Sequence, residues 1–288
     1  MFLGVLASFL GATFQAVNYT LTQSCQQRYN IDGVKLLVAV HVGLGFVALI
    51  PTLLFGYWKL LAVDQWWDFI KINLPYLLAQ YSLIKAIRLS DASIVSPLLA
   101  LKIPVLALIS ILFFQADFGA MQWLAISLIL ALGWYFSSMS GQITLAPLML
   151  VLFSSVGYSL SDMAITQFSH RLLEGTSVEQ SLATISINYL ALGVCSLPLL
   201  KLQKVNLKTV YQTKWVALAW FVAVVFLILG FNIAGVVSGN VVQSLRGVIG
   251  VILAFVFFRT QIDQPMSVWK KKLMAATGMF IAVGLFYS

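Results

Sequence analysis

Charge is what this sequence has least of. Only 9% of its 288 residues are charged and nine are acidic, where soluble domains carry roughly a quarter charged residues. With 61% hydrophobic residues and a mean hydropathy of +0.96, the soluble globular class is excluded. Two cysteines, Cys25 and Cys195, exclude a disulfide framework and read as inert packing residues. With two histidines and no HExxH segment, zinc and hydrolytic chemistry lack ligands. Gly157-Tyr158-Ser159-Leu160-Ser161 has a GxS core, but no histidine is placed to activate the serine. The expectation is no catalytic residue, no metal and no cofactor, with an intramembrane enzyme the weakest reading. A net charge of +8 could suggest nucleic acid, but the basic residues are scattered at the ends of apolar runs. Membrane orientation explains them better.

What is abundant is long apolar sequence. Continuous runs of ~20 residues are helical spans, not the short alternating strands of a barrel. Ten spans are expected, at 2–22, 34–57, 72–88, 92–114, 119–138, 145–168, 181–200, 215–233, 236–258 and 268–287. The start has no basic n-region, so it reads as the first span rather than a signal peptide. Little chain remains for loops. The short connections at Leu89–Asp91 and Val237–Gly239 make spans 3 and 4, and 8 and 9, tight antiparallel pairs. The fold class is all-α membrane protein.

Within the fourth span, Ser93 to Phe114, stands a lone ammonium, Lys102. A cation at that depth costs roughly 2.5–3.5 kcal/mol, so Lys102 should face protein, water or a ligand. The design recurs at Val237 to Phe258, where the cation is Arg246, 144 residues on. The Phe113–Phe114 pair returns as Phe257–Phe258 at the same offset, half the length of the chain. Gln15, Asn18 and Thr22 in the first span share one helical face, and Ser159, Asp162 and Thr166 repeat that spacing in the sixth. Tyr76 likewise maps onto Trp220. The chain therefore reads as two five-helix repeats, 1–144 and 145–288. Five is odd, so the second repeat enters from the other side: an inverted-topology 5+5 repeat.

The connections after odd-numbered spans hold twelve of the 17 Lys and Arg residues. The others hold Lys59, Lys71 and Arg171. The positive-inside rule then puts both termini outside the cytoplasm.

Ten short spans in a 5+5 inverted repeat with tight 3–4 and 8–9 turns resemble the drug/metabolite transporter superfamily, in its EamA-like branch. The stretch LSDASIVSPLLALKIPVLALISILFFQADFGAMQWLAISLILALGW is similar to the second half of an EamA unit. The family often has a Gly-Glu pair after its fourth helix. Here Gln115-Ala116-Asp117 stands there, and Arg259-Thr260-Gln261 in the second copy, so this is a divergent member. The resemblance implies secondary transport of small metabolites by alternating access, with a site lined partly by spans 4 and 9. It also implies termini in the cytoplasm, against the charge count. Lys102 and Arg246 resemble the basic residues of the plastid phosphate-translocator branch, which hold an anionic group on the fourth and ninth helices.

The residues then suggest a site. Lys102 and Arg246 repel each other unless an anion lies between them. Arginine offers a planar fork and lysine a point charge. Gly239, Gln243, Arg246 and Gly250 form a small and polar stripe, and Pro97 and Pro104 bracket Lys102. Gln15, Asn18 and Ser159 are polar lining candidates, with Tyr76, Gln80, Tyr81 and Trp220 as walls. Asp162 is the candidate coupling carboxylate. It is also the partner in the structural alternative, a fixed ion pair with Lys102 or Arg246. Trp66, Trp67, Trp123 and Trp269 read as interfacial anchors, and His41 as a hydrogen-bonded core residue.

The expected function is secondary transport of a small anionic or zwitterionic metabolite: an organic acid, an amino acid or a phosphorylated compound. The expected partners are that substrate, a coupled proton or counter-substrate, and lipid, with no nucleic acid. The alternatives are an exporter of cationic or neutral drugs or metabolites and a lipid-phosphate flippase. The expected location is a bacterial inner membrane.

Overall fold

A computed structural model describes residues 1–89, 95, 98–138, 144–250 and 266–287. Its helices are α1 (Phe2–Tyr29), α2 (Gly33–Leu54), α3 (Trp66–Leu89), α4 (Lys102–Phe114), α5 (Ala120–Ser138), α6 (Leu145–Leu172), α7 (Ser177–Leu202), α8 (Lys214–Ala234), α9 (Val236–Gln243) and α10 (Met266–Phe286). Single 3-10 turns stand at Tyr57–Leu60, Val63–Gln65 and Leu99–Leu101, and a short helix at Leu207–Gln212. There is no strand among the described residues.

Among the described residues, five helices are long and apolar enough to cross a membrane: α1 over Phe2–Gln26, α2, α6, α7 and α8. They are apolar on both faces, as bilayer-spanning helices are. In α2, Leu44, Ala48 and Thr52 are buried, while Phe46, Ile50 and Leu53 are exposed. A soluble helix would carry charge on that second face. With bilayer as the solvent, the same stripe meets lipid tails.

The helix ends follow local chemistry. Asp32 caps α2, accepting from the Val34 N–H at 3.1 Å. Thr176 and Glu179 form a capping box at the start of α7. Asn30 ends α1 in the left-handed region, φ 50°. Gly235, φ 88°, lets α9 leave α8 after one residue.

Two compact units emerge. The first comprises Met1–Asn73 and Ala164–Ile233; the second comprises Leu74–Met163 and Ala234–Ser288. Each draws on both halves of the sequence, and the boundaries fall inside α3, inside α6 and before the last residue of α8.

In the first unit, α2 and α7 run antiparallel. Val38, Ala39 and Val42 near the start of α2 pack with Leu200 at the end of α7 and with Val205 and Val210. Tyr57, beyond the other end of α2, packs with Ala183 and Ile187 near the start of α7. The helices touch backbone to backbone at Gly45 and Gly193: a Cβ on Gly193 would stand 2.5 Å from Gly45 Cα. His41 is buried, with Nδ1 2.7 Å from the Leu37 carbonyl. Asn232 donates to the hydroxyls of Ser169 and Ser181 at 2.8 and 3.0 Å. Asn73 and Asn188 pair their amides at 2.7 Å.

In the second unit, α3 meets α6 at Gly157, where a Cβ would stand 2.7 Å from the Pro75 carbonyl. Ser154 donates to the Ala79 carbonyl beside it. α10 packs on α5, with Gly278 against Leu132, and α9 packs on α4.

The segments expected at 92–114 and 236–258 are not single uninterrupted helices. A 3-10 turn at Leu99–Leu101 precedes α4, and a turn at Ser244–Leu245 ends α9, with helix resuming over 246–250. Pro97, the Phe257–Phe258 pair and the 259–264 loop lie outside the described residues. Trp66 and Trp67 are exposed and stacked, 4.3 Å between ring centres, as suits interfacial anchors; the Trp269 side chain lies outside the description. Cys25 is buried, and Cys195 is exposed rather than packed.

Candidate functional site

The site lies wholly within the second unit and forms around the two breaks. Lys102 is the first residue of α4, directly after the Leu99–Leu101 turn. Arg246 is the first residue of the resumed helix, directly after the Ser244–Leu245 turn. Each cation thus stands directly after a break in the regular α-helical geometry of its segment. Pro104 stands third in α4, inside the first turn, where its missing N–H leaves no bond unmade.

The Lys102 side chain is 8% exposed. Its Nζ donates to Asp162 Oδ2 of α6 at 2.5 Å. It also lies 5.7 Å from the ring centre of Tyr158, within cation–π reach. The Tyr158 hydroxyl donates to Gln80 Oε1 at 2.7 Å, and Gln80 Nε2 donates to the Tyr76 hydroxyl at 3.3 Å. One polar chain therefore runs from α4 through α6 to α3.

On the other side of Asp162, Asn240 of α9 donates to the same Oδ2 at 2.9 Å and to the Val236 carbonyl at 2.9 Å. Its Oδ1 is buried with no hydrogen-bond partner. Lys102, Ile103, Asn240, Gln243, Ser244 and Arg246, with Met279 of α10, line a cavity of about 30 Å³.

Six of the sequence candidates thus meet: Lys102, Arg246, Gln243, Asp162, Tyr76 and Gln80. Others lie elsewhere. Tyr81 is 60% exposed on α3. Ser159 is fully buried, and its hydroxyl donates to the Ser155 carbonyl of its own helix. Gln15, Asn18 and Trp220 belong to the first unit. There Asn18 donates to the Val216 carbonyl at 2.8 Å, and Trp220 Nε1–H to the Tyr189 hydroxyl at 3.0 Å.

Sequence reasoning missed Asn240 and Tyr158. Asn240 is three residues before Gln243 and so shares its helix face, which was the available signal. Tyr158 stands four residues before Asp162 on α6, again one turn away.

A multi-pass helical membrane protein with charged groups buried among its helices is the class that the fold and this centre define. The model of the EamA-like transporter family matches residues 2–139. That match, over just under half of the chain, is consistent with a membrane transporter of the drug/metabolite superfamily. No curated protein matches it. Among solved structures, 24 chains match. One, a protein crystal structure, superposes with a TM-score of 0.62 over 97% of this chain and 94% of its own length, at 14% identity. That likeness concerns the fold alone.

Proposed function

We propose that the chain is a secondary transporter of a small metabolite bearing an anionic group, bound at Lys102 and Arg246. The observation that carries the reading is that Lys102 and Arg246, each beside a break in its helix, border one cavity. Substrate sites of secondary transporters are typically formed where membrane helices are interrupted. Lys102 and Arg246 both border this cavity, and an anionic group suits a site lined by two cations.

The ion pair with Asp162 fits this reading. A lysine with no partner at that depth would be costly, and Asp162 neutralises it between cargo encounters. Cargo then exchanges for Asp162 at the Lys102 ammonium. A protonated Asp162 would release Lys102 most readily, which makes Asp162 the coupling candidate. A cavity of about 30 Å³ is well below the roughly 300–1,000 Å³ of ligand pockets, so loading requires the surrounding helices to separate, as alternating access demands. The pairing of α2 with α7, α4 with α9 and α5 with α10 supports the inverted repeat. In each pair a helix meets the one five places on, as helices beside a pseudo-two-fold axis do. A cationic cargo suits the centre less well, because Asp162, its carboxylate among the described residues, already holds Lys102. The reading assumes a bacterial inner membrane as the location.

The test is a thermal-shift screen of detergent-purified protein against organic anions, amino acids and organic cations, with Lys102→Ala and Arg246→Ala alongside. Binding to the folded state must raise its stability. The expected result is an anion or zwitterion that stabilises the wild type and neither variant. Stabilisation by organic cations, retained in both variants, overturns the reading.

A further inference from the structure

Six cations gather at one end of the first unit. Arg28 lies in the last turn of α1, Lys35 in the first turn of α2, and Lys201 in the last turn of α7. Lys204 and Lys208 follow in the connection, and Lys214 opens α8. Packing brings these ends together. Val205 and Val210 of the connection are buried against Val38, Ala39 and Val42 of α2. Cys25 of α1 lies with its Sγ 3.7 Å from the Gln212 carbonyl. Among the described residues the carboxylate at this end is Asp32, which caps α2. From Gln180 to Ile262 the sequence contains no acidic residue.

The same connection exposes large apolar side chains among its lysines: Leu202, Leu207, Tyr211 and Trp215, each at least 60% exposed. Lys214 Nζ lies 3.9 Å from the ring centre of Tyr211 and 5.5 Å from that of Trp215. The other end of the unit differs. Asp64, Asp68, Glu174 and Glu179 cluster there, and Asp68 accepts from Arg171 at 2.8 Å with Lys71 at 4.0 Å. α2 joins the two ends with 22 residues, a separation of about 33 Å.

We propose that the basic end, centred on the 201–215 connection, docks on anionic phospholipid headgroups. A water-facing loop gains nothing from four exposed apolar side chains. At a bilayer interface the rings and leucines sit among the upper acyl chains, and the lysines extend to the phosphates. Both ends of the connection enter membrane-spanning helices, so it is held at headgroup depth. Lysines near an anionic surface each strengthen attachment about fivefold, and carboxylates that would oppose them are scarce at this end.

The experiment is native mass spectrometry of the detergent-purified full chain, titrated with phosphatidylglycerol and separately with phosphatidylcholine. Phosphatidylglycerol is expected to bind preferentially and to weaken as salt rises. The variant Lys201→Gln/Lys204→Gln/Lys208→Gln/Lys214→Gln is expected to lose at least tenfold in that binding, while Lys59→Gln/Lys71→Gln at the other end retains it. If the fourfold variant does not fold, Lys204→Gln and Lys208→Gln, at exposed positions, should each weaken binding about fivefold. Equal binding of both lipids, or phosphatidylglycerol binding unchanged in the lysine variants, overturns the proposal. So does competition by millimolar inorganic phosphate, which would mark a free-anion site. None of these outcomes depends on Lys102 or Arg246, so this proposal and the transport reading fail separately.

Discussion

A buried ammonium survives in an apolar bundle only with compensation, and Lys102 has two forms of it: the Asp162 carboxylate and the face of Tyr158. Removing one member of such a pair leaves a charge uncompensated. Asp162→Ala should therefore destabilise the folded state by about 3–5 kcal/mol, read as a lower midpoint of thermal unfolding in detergent. Replacing both charges, in Lys102→Met/Asp162→Leu, should restore most of that stability while transport stays lost. A double variant no more stable than Asp162→Ala alone would mean that the pair does not act as a unit. Tyr158→Phe keeps the ring beside Lys102 and removes the hydrogen bond to Gln80, so about 1 kcal/mol is expected from the same measurement. Charge was the legible part of this centre, because a cation in an apolar run stands out without a structure. Asn240 and Tyr158 did not stand out. An amide or a phenol is ordinary in a membrane helix, and its meaning comes from the neighbour it meets.

At the scale of elements, the apolar runs foretold helices over nearly all the described chain, since only helices and closed barrels satisfy backbone groups in lipid. The breaks before Lys102 and Arg246 were less visible. Pro104 lies just after the break at Leu99–Leu101, but no proline signals the turn at Ser244–Leu245. Such turns persist because neighbouring helices cover the freed backbone groups, which no local pattern announces. Helix contacts were likewise hidden. Gly45 and Gly193 lie 148 residues apart, and each has no side chain so that α2 and α7 can touch. A methyl on Gly193 meets the backbone of Gly45, which cannot rotate away as a side chain would. Gly193→Ala should cost about 1–3 kcal/mol, and Gly193→Val more, measured as the unfolding midpoint in detergent. Cys195→Ala, at an exposed position two residues away on the same helix, should leave the midpoint unchanged. Equal midpoints for Gly193→Ala and the wild type would show that the close crossing is dispensable.

At the scale of the whole molecule, the question is which way the chain faces. The basic residues favour one orientation, and the usual habit of EamA-like transporters favours the other. Within the first unit the asymmetry has a structural basis. The α1–α2 turn and the 201–215 connection share one core, so their cations act as a single charged end and not as two weak signals. The opposite end pairs its charges with one another, as Asp68 does with Arg171 and Lys71. A paired end offers little net charge for the positive-inside rule to read, and the unpaired surplus at the basic end governs insertion. The basic end should therefore be cytoplasmic, which puts Met1 outside. In a background of Cys25→Ser and Cys195→Ser, a membrane-impermeant maleimide applied to whole cells should label Glu174→Cys, at the acidic end. Leu207→Cys, at the basic end and 69% exposed in the wild type, should be labelled only after the cells are opened. The reverse pattern would mean that the family's orientation prevails over the charges, and that the basic end meets the outer leaflet.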